Sequence, residues 1–319
     1  MLALDIDLRL DSDLGTPMSG DTLFGQLCWQ LRLREGEARL AEVLQGYGVG
    51  HPFLVVSDAM PRGFLPKPIV PPPPLSNEAT DAAWTARKAW IKRRWLPSDC
   101  LRRPLAESLD RTDLPQPCSM ELVLQPHNSI NRLTGTTGAA AFAPFLSERM
   151  VVAPAGRDVT LRCLLDEERL RRAQLLEMLS DIGRSGFGRD ASTGLGRFCV
   201  TASAEAPVAV SAPVLVTLAP AALHPQAVNI ERSYWKPLVR FGRHGGPASG
   251  GAVFKAPVLL AAAGASITVE NPAAVQAGFI GRGLGGDGRL SKRIPGTVHQ
   301  GYAPIVPVDL TGWTEAGLG

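Results

Sequence analysis

Two strand–helix–strand passages constrain this chain more than any other feature. Residues 2–11, "LALDIDLRLD", alternate without fault, with Leu2, Leu4, Ile6, Leu8 and Leu10 on one face and mostly polar residues on the other, the mark of a half-buried strand. The break "GTPMSGD" follows, where Ser19 or Asp21 can cap a helix. Leu23, Phe24, Leu27, Cys28 and Leu31 then recur at helical spacing. A helical stretch near 37–45 leads into a short strand, "PFLVVS" (52–57). The second passage begins with the strand "DVTLRCLL" (158–165). A helix over 166–183 follows, with acids in its first turn and Leu170, Leu175, Leu176 and Leu179 for burial. A glycine-rich loop and the strand "RFCVTA" (197–202) complete it. Together the passages predict a βαββαβ order, an α+β, ferredoxin-like (RRM-like) domain.

A long insertion separates the passages. It opens on "LPKPIVPPPPL" (65–75), too rich in proline for a helix or an interior strand. Residues 78–96 read as a helix with Trp84, Ile91 and Trp95 on one face and Arg87, Lys88, Lys92, Arg93 and Arg94 around the rest. Between Trp84 and Arg111 stand eight Lys or Arg against three Asp or Glu, the most basic stretch of the chain. A strand over 119–125 and the polar loop "PHNSINRLTGTTGAAAFAP" (126–144) follow. Beyond "SAEAP" (203–207) the pattern changes to short strands and turns with little helix signal. The expected division is therefore 1–204, with its insertion at about 65–150, and a strand-rich 205–319.

The bulk numbers exclude several classes. With 45% hydrophobic and 20% charged residues, the 319-residue chain reads as globular and soluble. A net charge of +3 permits a polyanionic partner without demanding one. The five cysteines are widely spaced with no Cys-x-x-Cys pair, and the five histidines are scattered, so neither a disulfide framework nor a metal site is expected. No apolar run is long enough to span a bilayer and no signal peptide is visible, so a cytoplasmic protein is expected.

The glycines imitate nucleotide motifs. Gly186, Gly188 and Ala191 fit a relaxed Gly-x-Gly-x-x-Ala, and Gly281, Gly283 and Gly286 fit Gly-x-Gly-x-x-Gly. A dinucleotide fingerprint needs a strand before it and a helix after it. The first stretch has the reverse order, and Pro295 and Gly296 prevent a long helix after the second. Neither ends in Gly-Lys-Ser/Thr, so both fail as mononucleotide pockets. Arg184, Arg189, Ser192, Thr193, Gly194 and Arg197 accompany the first, and Arg282, Arg289, Lys292 and Arg293 the second. Free amides beside arginines and hydroxyls suit a polyanion backbone.

At these residues the sequence resembles a known family. A ferredoxin-like order with "GFGRDASTGLGRF" (186–198) after its second helix is similar to the RAMP subunits of type III CRISPR interference complexes. "SGDTLFGQLCWQLR" (19–32), "HNSINRLTGTT" (127–137) and "GYAPIVPV" (301–308) narrow the likeness to the fourth Csm subunit. One departure is that many relatives carry a histidine before the Ser-Asp-Thr of the first helix, where this chain has Ser19-Gly20-Asp21. The resemblance implies two RAMP-like domains and a subunit that is not an enzyme and needs no cofactor. It implies that the subunit grips the 5′ handle of the crRNA. The implied neighbours are a large Palm-domain signature subunit and a backbone RAMP subunit, with no membrane. A thumb-like insertion in the first domain is implied as well.

On that reading Asn131, Arg132, Thr134, Gly135 and Thr136 hold handle phosphates or a flipped base. Arg184, Gly186, Gly188, Arg189, Ser192, Thr193, Gly194 and Arg197 line a groove, with Asp190 orienting one of the arginines. Arg282, Arg289 and Lys292 add phosphate contacts. Lys88, Lys92, Arg93, Arg94 and Trp95 belong to the thumb or to a subunit contact. The competing reading of Arg132 is a polar turn paired with Glu121 or Asp190. For Trp84, Trp90 and Trp95 the alternative to stacking bases is core packing. Two other functions share these residues: a metal-independent endoribonuclease maturing crRNA through His127 or His299, and a basic adaptor for acidic proteins.

Overall fold

A computed structural model describes residues 1–72, 81–109, 111, 113–118, 120–138, 140–208, 212–224, 226–245, 254–271, 275 and 278–313. β1 (Leu2–Leu10) leads to α1 (Gly20–Glu35), the short α2 (Glu37–Val43), β2 (Leu54–Val56) and β3 (Met60–Pro61). The insertion carries β4 (Phe64–Pro66), α3 (Asp81–Lys92), β5 (Trp95–Pro97), β6 (Met120–His127) and β7 (Phe145–Val152). β8 (Asp158–Leu165), α4 (Arg172–Ser185) and β9 (Phe198–Glu205) close the first half. β10 (Val214–Thr217), β11 (Pro237–Arg240), β12 (Val258–Ala261), β13 (Ser266–Thr268), β14 (Phe279–Gly281), β15 (Leu284–Gly285), β16 (Val298–His299) and β17 (Tyr302–Pro307) make the second. The fold is mixed α/β and rich in strands. Among the described residues no helix is long and apolar enough to cross a membrane.

The alternation of β1 is spent on burial. The strand lies inside the sheet β2–β8–β1–β9, with β3 also on β8, and its pairings with β8 and β9 are antiparallel. Leu4, Ile6, Leu8 and Leu10 are fully buried. The stripes of α1 (Leu23, Phe24, Leu27, Leu31) and α4 (Leu175, Met178, Leu179, Ile182) complete one core with them. One cap and one boundary differ from the sequence expectation. Ser19 is the N-cap of α1, but its hydroxyl donates to the Asp21 carboxylate and makes no cap to the helix. α4 starts at Arg172 because Asp166 accepts the Glu168 N–H at 3.3 Å, an Asx turn that delays the helix. The expected first-turn acids therefore stand before the helix.

The insertion divides. Trp90, Leu96, Cys100, Leu101, Leu105 and Leu114 share a core with Val216, Val308 and Trp313 of the second half. β6 and β7 pair in full register from Met120↔Val152 to His127↔Phe145; most of β6 is exposed on both faces, whereas most of β7 is half-buried or, at its end Val152, buried. Of the proline-rich connection, residues 73–75 lie outside the described residues, as do 78–80 of the expected helix. That helix ends at Lys92, so Trp95 falls in β5 and not on the helix face. Trp90 is the buried tryptophan, its ring 5.6 Å from that of Trp313, while Trp84 and Ile91 are about half exposed. Tertiary cover thus overrode the expected face.

The second half is built on the sheet β13–β10–β17–β14, with Leu215, Ile267, Ile280 and Ile305 in its core. It also closes the open edge of β2. The buried Gln300 amide accepts from Val56 N–H at 2.9 Å and donates to Val56 C=O at 2.8 Å, acting as one residue of a neighbouring strand.

Candidate nucleic-acid interface

The glycine-rich loop runs from the end of α4 to the start of β9, and close backbone approach explains its composition. Gly196 has φ 74, and a Cβ there would stand 2.1 Å from the Phe187 carbonyl oxygen. A Cβ on Gly15, in the facing loop, would stand 2.2 Å from the Arg189 carbonyl oxygen. Phe187 is fully buried and anchors the loop. The 11–17 loop then ties it down. Gly196 N–H donates to Asp13 C=O (2.8 Å), Arg197 N–H to Ser12 Oγ (2.9 Å), and Arg189 N–H to Thr16 Oγ1 (3.0 Å).

Asp13 joins this pair of loops to the root of the β6–β7 hairpin. Its Oδ1 accepts Val152 N–H at 3.2 Å, its Oδ2 lies 3.6 Å from Arg149 Nε, and Leu14 bridges Met150. Arg189 is shared between solvent and protein: it donates to the Glu148 carbonyl and lies 3.3 Å from Asp190 Oδ2. Asp190 therefore pairs with Arg189, as the sequence suggested. The Thr193 hydroxyl is committed to Asp190 C=O at 2.8 Å. Ser192 and Arg197 are exposed, as is Arg184, which pairs with Asp181 on α4. The loop thus offers a rigid backbone with Arg197, Ser192 and part of Arg189 facing out.

The structure does not bring the three sequence-predicted groups into one pocket. The Asn131–Thr136 turn sits at the far end of the hairpin, whose eight-residue strands span about 26 Å at about 3.3 Å per residue. There Asn131 N–H donates to Thr136 C=O (3.0 Å), and Asn131 Oδ1 accepts Leu133 N–H (2.9 Å). Thr134 and Thr136 share a hydroxyl contact of 3.0 Å. Gly135 takes φ 70, and Arg132 is exposed at the tip. No ion pair of Arg132 with Glu121 or Asp190 occurs among the described residues. Arg282 leads into the β15–β16 ribbon, and Arg289 and Lys292 lie exposed in the turn between its strands.

Within the basic insertion, Lys88, Lys92 and Arg94 are exposed. Arg93 is structural, its guanidinium donating to the carbonyls of Leu114 (2.9 Å) and Pro115 (2.8 Å). Trp95 is half-buried in β5. The two histidines weighed for acid–base chemistry stand in separate settings. His127 stacks on Phe145 and hydrogen-bonds Ser147 Oγ at 2.8 Å on the hairpin. His299 is buried 3.4 Å from Asp21 Oδ2.

That last contact belongs to a cluster the sequence did not disclose. Asp21 also meets Arg240 Nε at 3.0 Å, and Arg240 Nη2 donates to Ser19 Oγ at 2.7 Å. Asp58 accepts Gly20 N–H at 2.8 Å. Burial opposes ionisation of Asp21, but His299, Arg240 and Ser19 together hold its carboxyl down at about 2. Burial pushes the Asp58 carboxyl up to about 7. Residues 58, 240 and 299 are far apart in the chain, so only the fold assembles this seam between the halves.

No family model and no curated protein sequence matches the chain. Solved structures do. One is a chain of a Csm1–Csm4 cassette crystal structure in complex with pppApA, 16% identical, covering 97% of this chain and 98% of that one, with a TM-score of 0.60. The same cassette with AMPPNP gives 18% identity over 97% and 98%, also at 0.60. A Csm3–Csm4 subcomplex of the type III-A CRISPR-Cas interference complex gives 11% identity over 96% and 99%, at 0.58. Csm4 is the component common to these assemblies. From end to end, the chain therefore has a Csm4-like fold, that of a type III CRISPR subunit.

Proposed function

We propose that this protein is a non-catalytic RNA-binding subunit of a type III CRISPR effector complex, gripping the 5′ handle of the crRNA in antiviral defence. The observation that carries the reading is the full-length likeness to chains solved within Csm1–Csm4 and Csm3–Csm4 assemblies. By that likeness the protein bridges a large signature subunit and a backbone subunit, and works in the cytoplasm. The strand order β2–β8–β1–β9 with α1 and α4 supports a ferredoxin-like RAMP domain over 1–204, followed by a second RAMP-like domain over 205–319. The exposed β6–β7 hairpin is the thumb-like part of the insertion.

The RNA contacts in this reading are the open backbone and outward side chains of 184–197, the Asn131–Thr136 tip, and Arg282, Arg289 and Lys292. Phosphates take the arginines, hydroxyls and amides, and splayed bases reach the tip. Lys88, Lys92 and Arg94 meet RNA or a neighbouring subunit. Pull-down of the tagged protein from cells carrying its native locus tests this, with bound RNA sequenced and bound proteins identified. RNAs sharing one repeat-derived 5′ end, together with a large subunit, are expected. Protein recovered alone, or cleavage of repeat RNA by the purified chain in chelator, would overturn the reading in favour of an adaptor or an endoribonuclease.

A further inference from the structure

Within the glycine-rich loop, Arg189 reaches across to the β6–β7 hairpin. Its backbone is fixed from both sides. The N–H donates to Thr16 Oγ1 at 3.0 Å, and the carbonyl oxygen lies against Gly15, where a Cβ would stand 2.2 Å away. The planar guanidinium is then divided between two acceptors: Nη2 donates to the Glu148 carbonyl on β7, while Nε faces Asp190 Oδ2 at 3.3 Å. Next to Glu148, Met150 and Leu14 exchange both backbone hydrogen bonds, at 2.8 and 3.1 Å, and so attach the hairpin root to the 11–17 loop. Arg189 thus joins the glycine-rich loop to the same root.

Asp190 is arranged for its contact. It has φ 61, the one non-glycine residue in the left-handed region among the described residues. Its carbonyl accepts the Thr193 N–H (3.0 Å), the Leu195 N–H (3.3 Å) and the Thr193 hydroxyl (2.8 Å), and these bonds hold the conformation. An ion pair on so exposed an arginine adds little to stability. Its effect lies in orienting Arg189, and the orienting group is an oxygen anion, as a phosphate is. A phosphate that takes the Nε donor must displace the Asp190 carboxylate, because two anions on one donor repel. Nη2 can stay on Glu148 throughout, since the guanidinium has donors for both.

We propose that Asp190 is a built-in stand-in for an RNA phosphate, keeping the Arg189 guanidinium set for RNA in the free protein. A backbone phosphate that replaces it pins Arg189 between the RNA and the Glu148 carbonyl, so that filling the loop also steadies the hairpin root. This rests on the reading of 184–197 as an RNA contact. It adds to that reading a competitor inside the loop and a link from the loop to the hairpin.

Two measurements on the full chain test it, using a fluorescent single-stranded RNA with the repeat sequence of the native locus. In the first, this RNA is titrated across salt concentrations. Asp190→Asn removes the charge, keeps the shape and suits the left-handed region. It is expected to tighten binding about two- to fivefold at low salt, with the gain fading as salt rises. In the second, amide exchange is followed with and without the RNA. Wild-type protein is expected to show slower exchange at Leu14 and Met150 once RNA is bound. Arg189→Lys keeps the charge but has no planar fork to divide between two acceptors. It is expected to bind RNA more weakly, with an unchanged salt slope, and to show no such slowing. Unchanged or weaker binding by Asp190→Asn, or a gain that salt does not diminish, overturns the stand-in and leaves the proposed function standing. Equal slowing in wild type and Arg189→Lys, or none in wild type, overturns the link to the hairpin. Wild-type protein that binds no such RNA overturns the inference and the proposed function together.

Discussion

The β1–β8 pair and the β6–β7 pair are ladders of the same kind, each with eight antiparallel partners in register. The first lies in the core, whereas in the second β6 is mostly exposed and β7 mostly half-buried or buried. Backbone pairing is therefore satisfied equally in both, and what differs is the cover. α1 and α4 lie over the first ladder, whereas the second is attached mainly at its root, through Asp13, Leu14 and Arg189. One ladder is invested in stability, and the other is free to meet a partner.

The largest test of that contrast is Leu161→Ala in β8, where the side chain is fully buried. It should cost about 2–5 kcal/mol, seen as a fall in the urea midpoint. Next is Gln300→Ala, which leaves the Val56 N–H and C=O without their side-chain partner. About 1–3 kcal/mol should be lost, and the Val56 amide should exchange faster.

The polar seam gives a pH test. Asp58 has a carboxyl raised from 3.8 to about 7. A raised carboxyl favours the folded state fully below the unfolded value, and that contribution is lost as pH rises toward 7. Asp58→Asn, which can still accept the Gly20 N–H, should therefore stabilise the protein at pH 8 by roughly 1–3 kcal/mol and change little near pH 4. A variant equally stable or less stable than wild type at pH 8 would contradict this.

Smaller effects are expected at the hairpin. Asp13→Ala should cost about 1 kcal/mol and speed exchange of the Val152 amide while leaving that of Leu161 unchanged, because it loosens the root alone. Leu124→Ser, on the exposed ladder, should stay within about 0.5 kcal/mol of wild type. A loss as large as that of Leu161→Ala would mean that the hairpin is covered after all.

Much of the fold was legible because periodicity is local. The alternation of β1 and the stripes of α1 and α4 appear in the structure within a few residues of their sequence positions. The helix-before, strand-after order around Gly186–Gly196 likewise stands in the structure, and it is what excluded a dinucleotide loop. The candidate site was less legible. The arginines and glycines of 184–197 could be singled out, but not that Arg189 binds the Glu148 carbonyl or that Thr193 serves Asp190. Neither partner is marked by any spacing.

The sequence by itself determined the strands β1, β8 and β9 and the helices α1 and α4, since their periodicity depends on neighbours a few positions away. Only the tertiary structure decided which faces are covered. It buried Trp90 and left Trp84 out, divided the insertion between a core and a partly exposed hairpin, and joined Asp21 to Arg240 and His299. The physical reason is that burial and ion pairing depend on distance in space, and segments hundreds of residues apart supply the cover.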